Sequence, residues 1–376
     1  MKTKMQVLFY IASCLELAMG MIEMCNYEFP LKRIILWGFF LVYFMNMLCT
    51  EYTRTEKVVF AIVMVLGIIL YINTGINTGI KAPVYIMALK GVDRRCLCKC
   101  FLFTLLGVTL AVGCRTFFIN PDNLFFEDVR KSRGFGGLRF CAGFAHPNRL
   151  QVLIFGMLAY ALLLYGNRLH IGQFVGVMFL YLFMSYMTNS RTGFLLGVFV
   201  GLAVIFARNV KWKSVSNIVM FLFLVIIVFM LLISFLAAAN VEKGFLLEKI
   251  NTFISGRMNQ LALYTSDSSY NLPYMENWAL FSNRNNKNGY DMGYVFIFYY
   301  YGIIMGACYL DFVIGAVDKA RRSMDLLGMV LIMGLSIYMF METGYHSNYL
   351  TRDFLLMTSA VVLWGDYEAQ VQHQKK

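Results

Sequence analysis

Long apolar segments, separated by short charged stretches, dominate this sequence and restrict what it can fold into. The run Val215–Ala239 contains no charged residue. A bilayer core of roughly 30 Å requires about 20 consecutive apolar residues in helical form, whereas a soluble domain has no need of such a run. With 59% hydrophobic and 14% charged residues, the chain is predicted to be an all-α polytopic membrane protein.

Twelve segments are candidates for membrane helices. Eleven are clear, whereas the twelfth, 80–92, is short and contains Lys81, Pro83 and Lys90. Its shortness indicates a helix that is buried in protein or partly broken. Glu16 interrupts the first run and no small-residue cleavage site closes it, so we expect a retained span. The clear segments are 6–24, 34–49, 58–72, 99–118, 149–165, 171–187, 193–207, 215–236, 293–315, 326–341 and 353–365.

The positions of lysine and arginine predict the orientation, because short basic loops mark the cytoplasmic side. Lys57 and Arg94 can both be cytoplasmic only if 80–92 crosses as well as 58–72. We therefore expect about twelve transmembrane helices in the plasma (inner) membrane, with both termini cytoplasmic. The parts are 1–118 with helices 1–5, an extracytoplasmic loop 119–147, 148–236 with helices 6–9, a large extracytoplasmic loop 237–292, and 293–376 with helices 10–12 and a cytoplasmic tail.

Many cations map to the outer side, against the orientation rule. Arg149, Arg191 and Arg352 do so at span ends or in a tight turn, where the rule should hold. A guanidinium is a planar fork that matches phosphate oxygens. The outer cations therefore indicate an anionic substrate, such as phosphate, pyrophosphate or an acidic sugar. They are Arg115, Arg130, Lys131, Arg133, Arg139, Arg149, Arg191, Lys243, Lys249, Arg257, Arg284, Lys287 and Arg352.

The segment Phe144-Ala145-His146-Pro147-Asn148 opens one apolar span, after a loop rich in glycine and arginine. Proline suits the first turn of a helix, where its missing N–H costs nothing. His146 is therefore expected at the positive end of a membrane helix, with Arg139 and Arg149 nearby. This group of cationic side chains at the end of a membrane helix indicates an anion-binding or reaction site rather than residues that only anchor the helix at the membrane surface.

Two further segments place arginine near the same predicted side. In 188–193 a turn joins two spans and contains Arg191, which either extends to lipid phosphate or points into a site between helices. In 254–258 Gly256 would allow the backbone a close approach, and Arg257 would point from the first turn of a loop helix. The alternative for Arg257 is a solvated loop side chain.

Two acidic positions are candidates for proton transfer. Asp291, within Tyr290–Tyr294, either caps a helix or acts as a catalytic base. Glu342, His346 and Arg352 lie close together in the sequence at the turn between the last two spans. They serve either acid–base chemistry or a local polar network. The sequence gives Glu16 and Glu23, in or near the first span, no identifiable partner.

Other kinds of site find little support. The nine cysteines include Cys96, Cys98 and Cys100, which lack histidines at zinc-site spacing, so free thiols are expected. The histidines are scattered, and no metal-binding, nucleotide-binding or serine-nucleophile motif occurs, so neither a metal nor a cofactor is expected. The net charge of +12 suits anionic lipid head groups. No separate basic domain points to nucleic acid.

The order of these motifs resembles the O-antigen polymerase and ligase superfamily, specifically the Wzy-type polymerases of capsular polysaccharides or exopolysaccharides. The resemblance runs from about residue 130 to 305 and rests on the ordered set. That set is an Arg/Gly-rich loop, Phe144-x-His146-Pro147-Asn148, Ser190-Arg191-Thr192-Gly193, Gly256-Arg257, and Asp291-x-Gly293-Tyr294 followed by Gly302.

The resemblance implies a GT-C-like fold and a metal-independent glycosyltransferase. Its substrate would be an oligosaccharide on undecaprenyl pyrophosphate in the bilayer, with a chain-length regulator and a flippase as further partners. Arg191 and Arg257 would hold the leaving pyrophosphate and neutralise its charge. Such electrostatic stabilisation is often the largest contribution to catalysis. Asp291 would be the base. The implied substrate-binding residues are Arg139, His146, Asn148, Arg284, Tyr294, His346 and Arg352.

The sequence departs from the ligase branch in one place. Ligases tend to have a His-Asn pair where this chain has Tyr290-Asp291, which favours a polymerase and leaves the base open. A lipid-linked oligosaccharide flippase or transporter is the alternative. Such a protein would be expected to show two similar halves and no large outer loop. A membrane acyltransferase would be expected to have a histidine near its N-terminal spans, where none occurs.

Overall fold

The computed structural model describes residues 2–127, 137–210, 212–239, 244–254, 256–261, 273–283, 292–342 and 349–364. This part of the chain is almost wholly helical, as predicted for an all-α membrane protein. The α-helices are α1 Lys2–Glu23, α2 Lys32–Leu48, α3 Arg54–Thr74, α4 Thr78–Ala88, α5 Arg94–Ile119, α6 Pro147–Tyr165, α7 Ile171–Met187, α8 Arg191–Asn209, α9 Trp212–Ala238, α10 Phe245–Phe253, α11 Arg257–Gln260, α12 Gly293–Phe296, α13 Ile303–Arg322, α14 Leu326–Met341 and α15 Phe354–Trp364.

Helices occupy the apolar segments because a backbone in hydrocarbon must pair its own N–H and C=O groups. Among the described residues, six helices are long and apolar enough to cross a membrane, judged by length and composition. Three shorter apolar helices, α7, α14 and α15, accompany them. The six are Lys4–Glu23 within α1, Arg54–Thr74, Arg94–Ile119, Pro147–Tyr165, Arg191–Asn209 and Val215–Ala238.

The centre and the periphery of the bundle differ in burial. Nearly all residues of α14 and α15 are buried, and so is most of α6. By contrast, α3 buries little and exposes a succession of large apolar side chains, including Val59, Ile62 and Ile68. An apolar exterior of this kind is suited to a hydrocarbon surround rather than to water. The most buried helices, α6, α14 and α15, therefore form the centre of the bundle, and α3 lies at its apolar exterior.

The short segment 80–92 forms α4, which packs between α2 and α3. Seven of its residues are buried, including Lys81 and Tyr85, and Pro83 lies inside the helix. This agrees with the expectation of a short helix buried in protein.

The predicted single span 293–315 is wrong in one respect, since the helix breaks at Gly302. A short π-helix, Ile297–Tyr301, follows α12, and Gly302 has a φ of 91° before α13 begins. A Cβ at Gly302 would lie 2.7 Å from Ser282 N and 2.8 Å from Leu280 O. The first N–H groups of α13 bond the carbonyls of Ala279 and Leu280. The close approach of this loop therefore ends one helix and starts the next.

A two-stranded antiparallel sheet lies in the predicted loop 119–147, where we expected no strand. Strand β1 is Phe125–Glu127 and β2 is Leu138–Phe140, with Phe126 opposite Arg139. A 3₁₀ turn, Pro121–Leu124, leads into β1. After β2 the amide of Ala145 donates to the carbonyl of Met24, at 3.0 Å. The sheet thus fixes Arg139 beside the start of α6.

Candidate functional site

Four polar side chains from distant parts of the sequence form a continuous set of contacts at one end of the bundle. Arg257 pairs with the Oε1 of Glu342, and Asn148 Nδ2 donates to the same oxygen at 3.0 Å. Arg139 Nη2 donates to Asn148 Oδ1 at 2.8 Å. We call Arg139, Asn148, Arg257 and Glu342 the arginine network. It joins the β-sheet, α6, α11 and the end of α14.

The start of α6 positions Asn148. His146 is the N-cap residue, and its Nδ1 accepts a hydrogen bond from the Asn148 backbone N–H at 3.1 Å. Pro147 occupies the first helical position, as the sequence predicts. Because the cap fixes the first turn, the Asn148 side chain can bridge Arg139 and Glu342. In this arrangement His146 orients the backbone.

A left-handed glycine positions Arg257. Gly256 has a φ of 77°, and no atom of another described residue lies within 4 Å of a Cβ placed there. The left-handed backbone conformation by itself favours glycine at this position. Asn251 accepts hydrogen bonds from Gly256 N through its carbonyl and from Met258 N through its side chain. These contacts hold α11 so that Arg257 enters the bundle from its first turn.

The Arg257–Glu342 ion pair is buried inside the protein. Their exposed fractions are 7% and 5%, so both charges are almost fully withdrawn from solvent. Such charges are tolerated only when paired and hydrogen-bonded. Arg257 is therefore no solvated loop arginine, and a buried guanidinium of this kind can bind phosphate if its carboxylate partner is displaced.

A second, fully buried layer supports the network. Gln151, one turn after Asn148, donates to Tyr181 OH at 3.0 Å and to Ser185 Oγ at 2.9 Å. It also accepts from Thr188 Oγ1 at 2.9 Å. Arg139 Nε reaches the Thr188 carbonyl at 3.0 Å. The turn between α7 and α8 is thus tied to α6 and to the arginine network.

Arg191 lies just beyond that turn, in the first turn of α8. Ser190 caps the helix by accepting from Gly193 N at 3.1 Å. The Arg191 side chain is exposed, and it forms no hydrogen bond or ion pair with any residue that the structure describes. Arg191 therefore follows Thr188, which contacts the network, by three residues, but its own side chain is not part of the network.

Two other predicted site residues lie elsewhere. Tyr294 is buried and donates from its hydroxyl to the Ser336 carbonyl at 3.3 Å, so it packs α12 against α14. Arg352 contacts α1 through the Gly20 carbonyl at 3.3 Å. Both contacts are within the protein. Asp291, Arg284 and His346 lie outside the described residues.

Glu16, which the sequence left without a partner, has two. It accepts from Tyr43 OH at 2.7 Å and from Leu350 N at 3.0 Å. Glu23 pairs with Lys32. Buried Lys81 places its ammonium over the Trp37 ring, 4.9 Å from its centroid. These contacts connect α1, α2 and α4 with the segment before α15.

Sequence reasoning treated Glu342 only as part of a rim cluster and did not identify Gln151. Each has a weak signal. Glu342 is the first charged residue after the apolar run of α14, and Gln151 is the single amide side chain within the apolar segment 149–165. A polar group in such a place is costly unless it has a partner.

Comparison with known proteins finds no match. No family model matches the chain, and neither a curated protein nor a solved structure does. The functional conclusion therefore depends on the residues and contacts of this chain.

Proposed function

We propose that the chain is a Wzy-type polysaccharide polymerase with about twelve transmembrane helices and a GT-C-like architecture. It would join oligosaccharide repeat units carried on undecaprenyl pyrophosphate at the outer face of the plasma membrane. The observation that carries the proposal is the arginine network. Three of the motifs on which the family resemblance rests meet there: the Arg-rich loop, His146-Pro147-Asn148 and Gly256-Arg257.

The direction of the helices also supports this location. Asn148 at the start of α6, Thr188 after α7 and Glu342 after α14 all lie at the network end. The Arg94–Asp325 ion pair joins the start of α5 to the cap of α14, so it lies at the other end of α14. This alternation matches the orientation predicted from the basic loops. The network end would then be the extracytoplasmic one.

In the proposed reaction Arg257 exchanges its carboxylate partner for the donor pyrophosphate. Arg191, exposed and without a partner among the described residues, would hold the same group from the rim, and Arg139 would assist. The acceptor hydroxyl oxygen bonds to the anomeric carbon of the donor sugar as the carbon–oxygen bond to pyrophosphate breaks. Undecaprenyl pyrophosphate leaves with the bond electrons. The two arginines stabilise the negative charge that develops on it.

The hydroxyl proton must pass to a base. Asp291 was the predicted base, and Glu342 is the carboxylate that the exchange would free. Glu342 is hydrogen-bonded to Asn148 at 3.0 Å, so it would stay in place after Arg257 turns to phosphate. We therefore propose Glu342 as the second candidate base. This hydrogen bond defines the position of the Glu342 carboxylate in the arginine network, whereas Asp291 lies outside the described residues.

A lipid-linked oligosaccharide flippase is the alternative, and one observation favours it. Glu16 on α1 and Lys81 on α4 are both buried within helices, and ionisable residues inside spans often mark transport pathways. The two functions differ in which lipid-linked species accumulates when the chain is absent.

The discriminating experiment removes the gene from its host and restores it. The proposal predicts that single repeat units accumulate on lipid at the outer face while long polymer disappears, and that the restored gene returns the polymer. Repeat units retained at the cytoplasmic face would identify a flippase. Unchanged polymer length without the gene would exclude both functions.

A further inference from the structure

A groove of about 410 Å³ lies between α3, α4, α13 and α15, away from the arginine network. Its lining is mainly apolar and includes Val59, Pro83, Met305, Phe312 and Leu356. The lining of α13 extends from Met305 to Gly315, which is about 15 Å at 1.5 Å per residue. Half of a bilayer core is also about 15 Å. The groove therefore has the length of one hydrocarbon chain in a single leaflet.

Cations surround one end of the groove. Lys90 pairs with Glu56 at 2.5 Å and lies 5.3 Å from the ring centroids of Tyr52 and Trp364. Glu56 and Trp364 both line the groove. Tyrosine and tryptophan are typical of the depth at which lipid head groups begin. This end thus has the composition of a membrane interface.

Two further cations at this end have no partner among the described residues. Arg54 and Lys57 flank the lining residues Thr55 and Glu56 in the first turn of α3. Both side chains are exposed, and neither forms a hydrogen bond or an ion pair with a residue that the structure describes. An anion at this end would complement them.

The opposite end is acidic. Asp353 directly precedes α15, lines the groove and accepts a hydrogen bond from Tyr309 OH at 3.2 Å. A lipid phosphate would be repelled there. The two ends of the groove therefore specify in which direction an anionic lipid would lie.

We propose that this groove binds an anionic phospholipid, with one acyl chain between α3, α4, α13 and α15 and the phosphate beside Arg54, Lys57 and Lys90. By the positive-inside rule this lipid belongs to the cytoplasmic leaflet. The site is distinct from the outer-face reaction and does not depend on the proposed polymerase activity. It binds a bilayer component rather than the substrate carrier.

Native mass spectrometry of the purified full chain tests this site, with phosphatidylglycerol, phosphatidylcholine and a polyprenyl phosphate as competing probes. Gly315→Leu places a side chain in the groove, and no atom of the described residues lies within 4 Å of a Cβ at Gly315, so the fold is spared. Gly107→Leu on α5 is the matched control, since its Cβ position is equally open and does not line the groove. Arg54→Gln combined with Lys57→Gln tests the head-group end.

The wild-type chain and Gly107→Leu are expected to retain one phosphatidylglycerol in preference to phosphatidylcholine. Gly315→Leu should lose that lipid. In the double glutamine variant the preference for phosphatidylglycerol over phosphatidylcholine should fall roughly 25-fold, because each of the two lost cations contributes on the order of a fivefold effect near an anionic head group. Retention by Gly315→Leu at the wild-type level would overturn the proposal. So would preferred binding of polyprenyl phosphate that is unaffected by the glutamine variant.

Discussion

Arg257 on the loop helix α11 and Glu342 at the end of α14 form a buried ion pair, although 85 positions separate them in the chain. The pair connects the predicted outer loop to the centre of the bundle. Asn148 donates to the same carboxylate oxygen, so the contact also fixes the start of α6. One interaction thereby holds together three segments that the sequence keeps far apart.

Substitutions of Arg257 and Glu342 should have non-additive effects on the free energy of unfolding. Arg257→Gln and Glu342→Gln should each cost about 3–5 kcal/mol, since each leaves one charge buried without its partner. The double variant should cost less than the sum of the two, by roughly 1–3 kcal/mol. Denaturant titration of the purified chain measures all three. Strictly additive losses would mean that the two side chains do not interact in the folded protein.

Gln151→Met should destabilise the bundle by about 1–3 kcal/mol, because Tyr181, Ser185 and Thr188 would lose hydrogen bonds in a buried place. The control is Leu153→Met in the same helix, where both residues are apolar and the expected loss is below about 1.5 kcal/mol. Leu153 is also fully buried. Thermal unfolding in the same detergent compares the two. Equal losses would contradict the hydrogen-bonded layer.

Gly256→Ala should loosen α11, because a left-handed backbone costs an alanine about 1–2 kcal/mol. Gly244→Ala is the matched control, since Gly244 has a φ of −63° and an equally open Cβ position. Limited proteolysis within 244–261 is expected to speed up in the first variant only. Faster cleavage in both variants would show that the effect is not conformational.

The reactivity of Cys25 should depend steeply on pH. Burial raises the pKa of this thiol to about 11, and the nearby Arg149 guanidinium opposes the rise. The thiolate is the reactive form, so maleimide labelling of a chain retaining only Cys25 should accelerate about tenfold per pH unit from pH 8 to 10. Arg149→Gln should slow labelling at pH 8. A labelling rate that levels off by pH 9 would contradict the raised pKa of the partly buried Cys25 thiol.

The helices were predictable because burial in lipid demands long apolar runs, and each of the twelve predicted segments contains an α-helix. Six helices of the described residues are long and apolar enough to cross a membrane. The apolar pattern did not predict that a helix continues into a polar segment. Helix α13 continues to Arg322, beyond the predicted end at 315, and Asp318 pairs there with Arg321 and Arg322. The break at Gly302 depends on a loop that approaches from elsewhere in the chain, which no local pattern encodes.

The candidate site was predictable only where a local rule applied. Proline at position 147 fixed the start of α6 and hence the place of His146 and Asn148. The pairing of Arg257 with Glu342 depends on tertiary packing, so the sequence predicted each residue at a rim without joining them. Arg191 is separate from the network because of the direction of its side chain, which its position in the sequence does not determine.

The most direct test is the length of surface polysaccharide in cells that express Arg191→Ala, Arg257→Ala or the control Lys319→Ala at matched protein levels. Lys319 is exposed near the end of α13, on the side opposite the network. The polymerase proposal predicts that both arginine variants lose long polymer and accumulate single lipid-linked repeats at the outer face, while Lys319→Ala makes normal polymer. Full-length polymer from both arginine variants would contradict the proposed site.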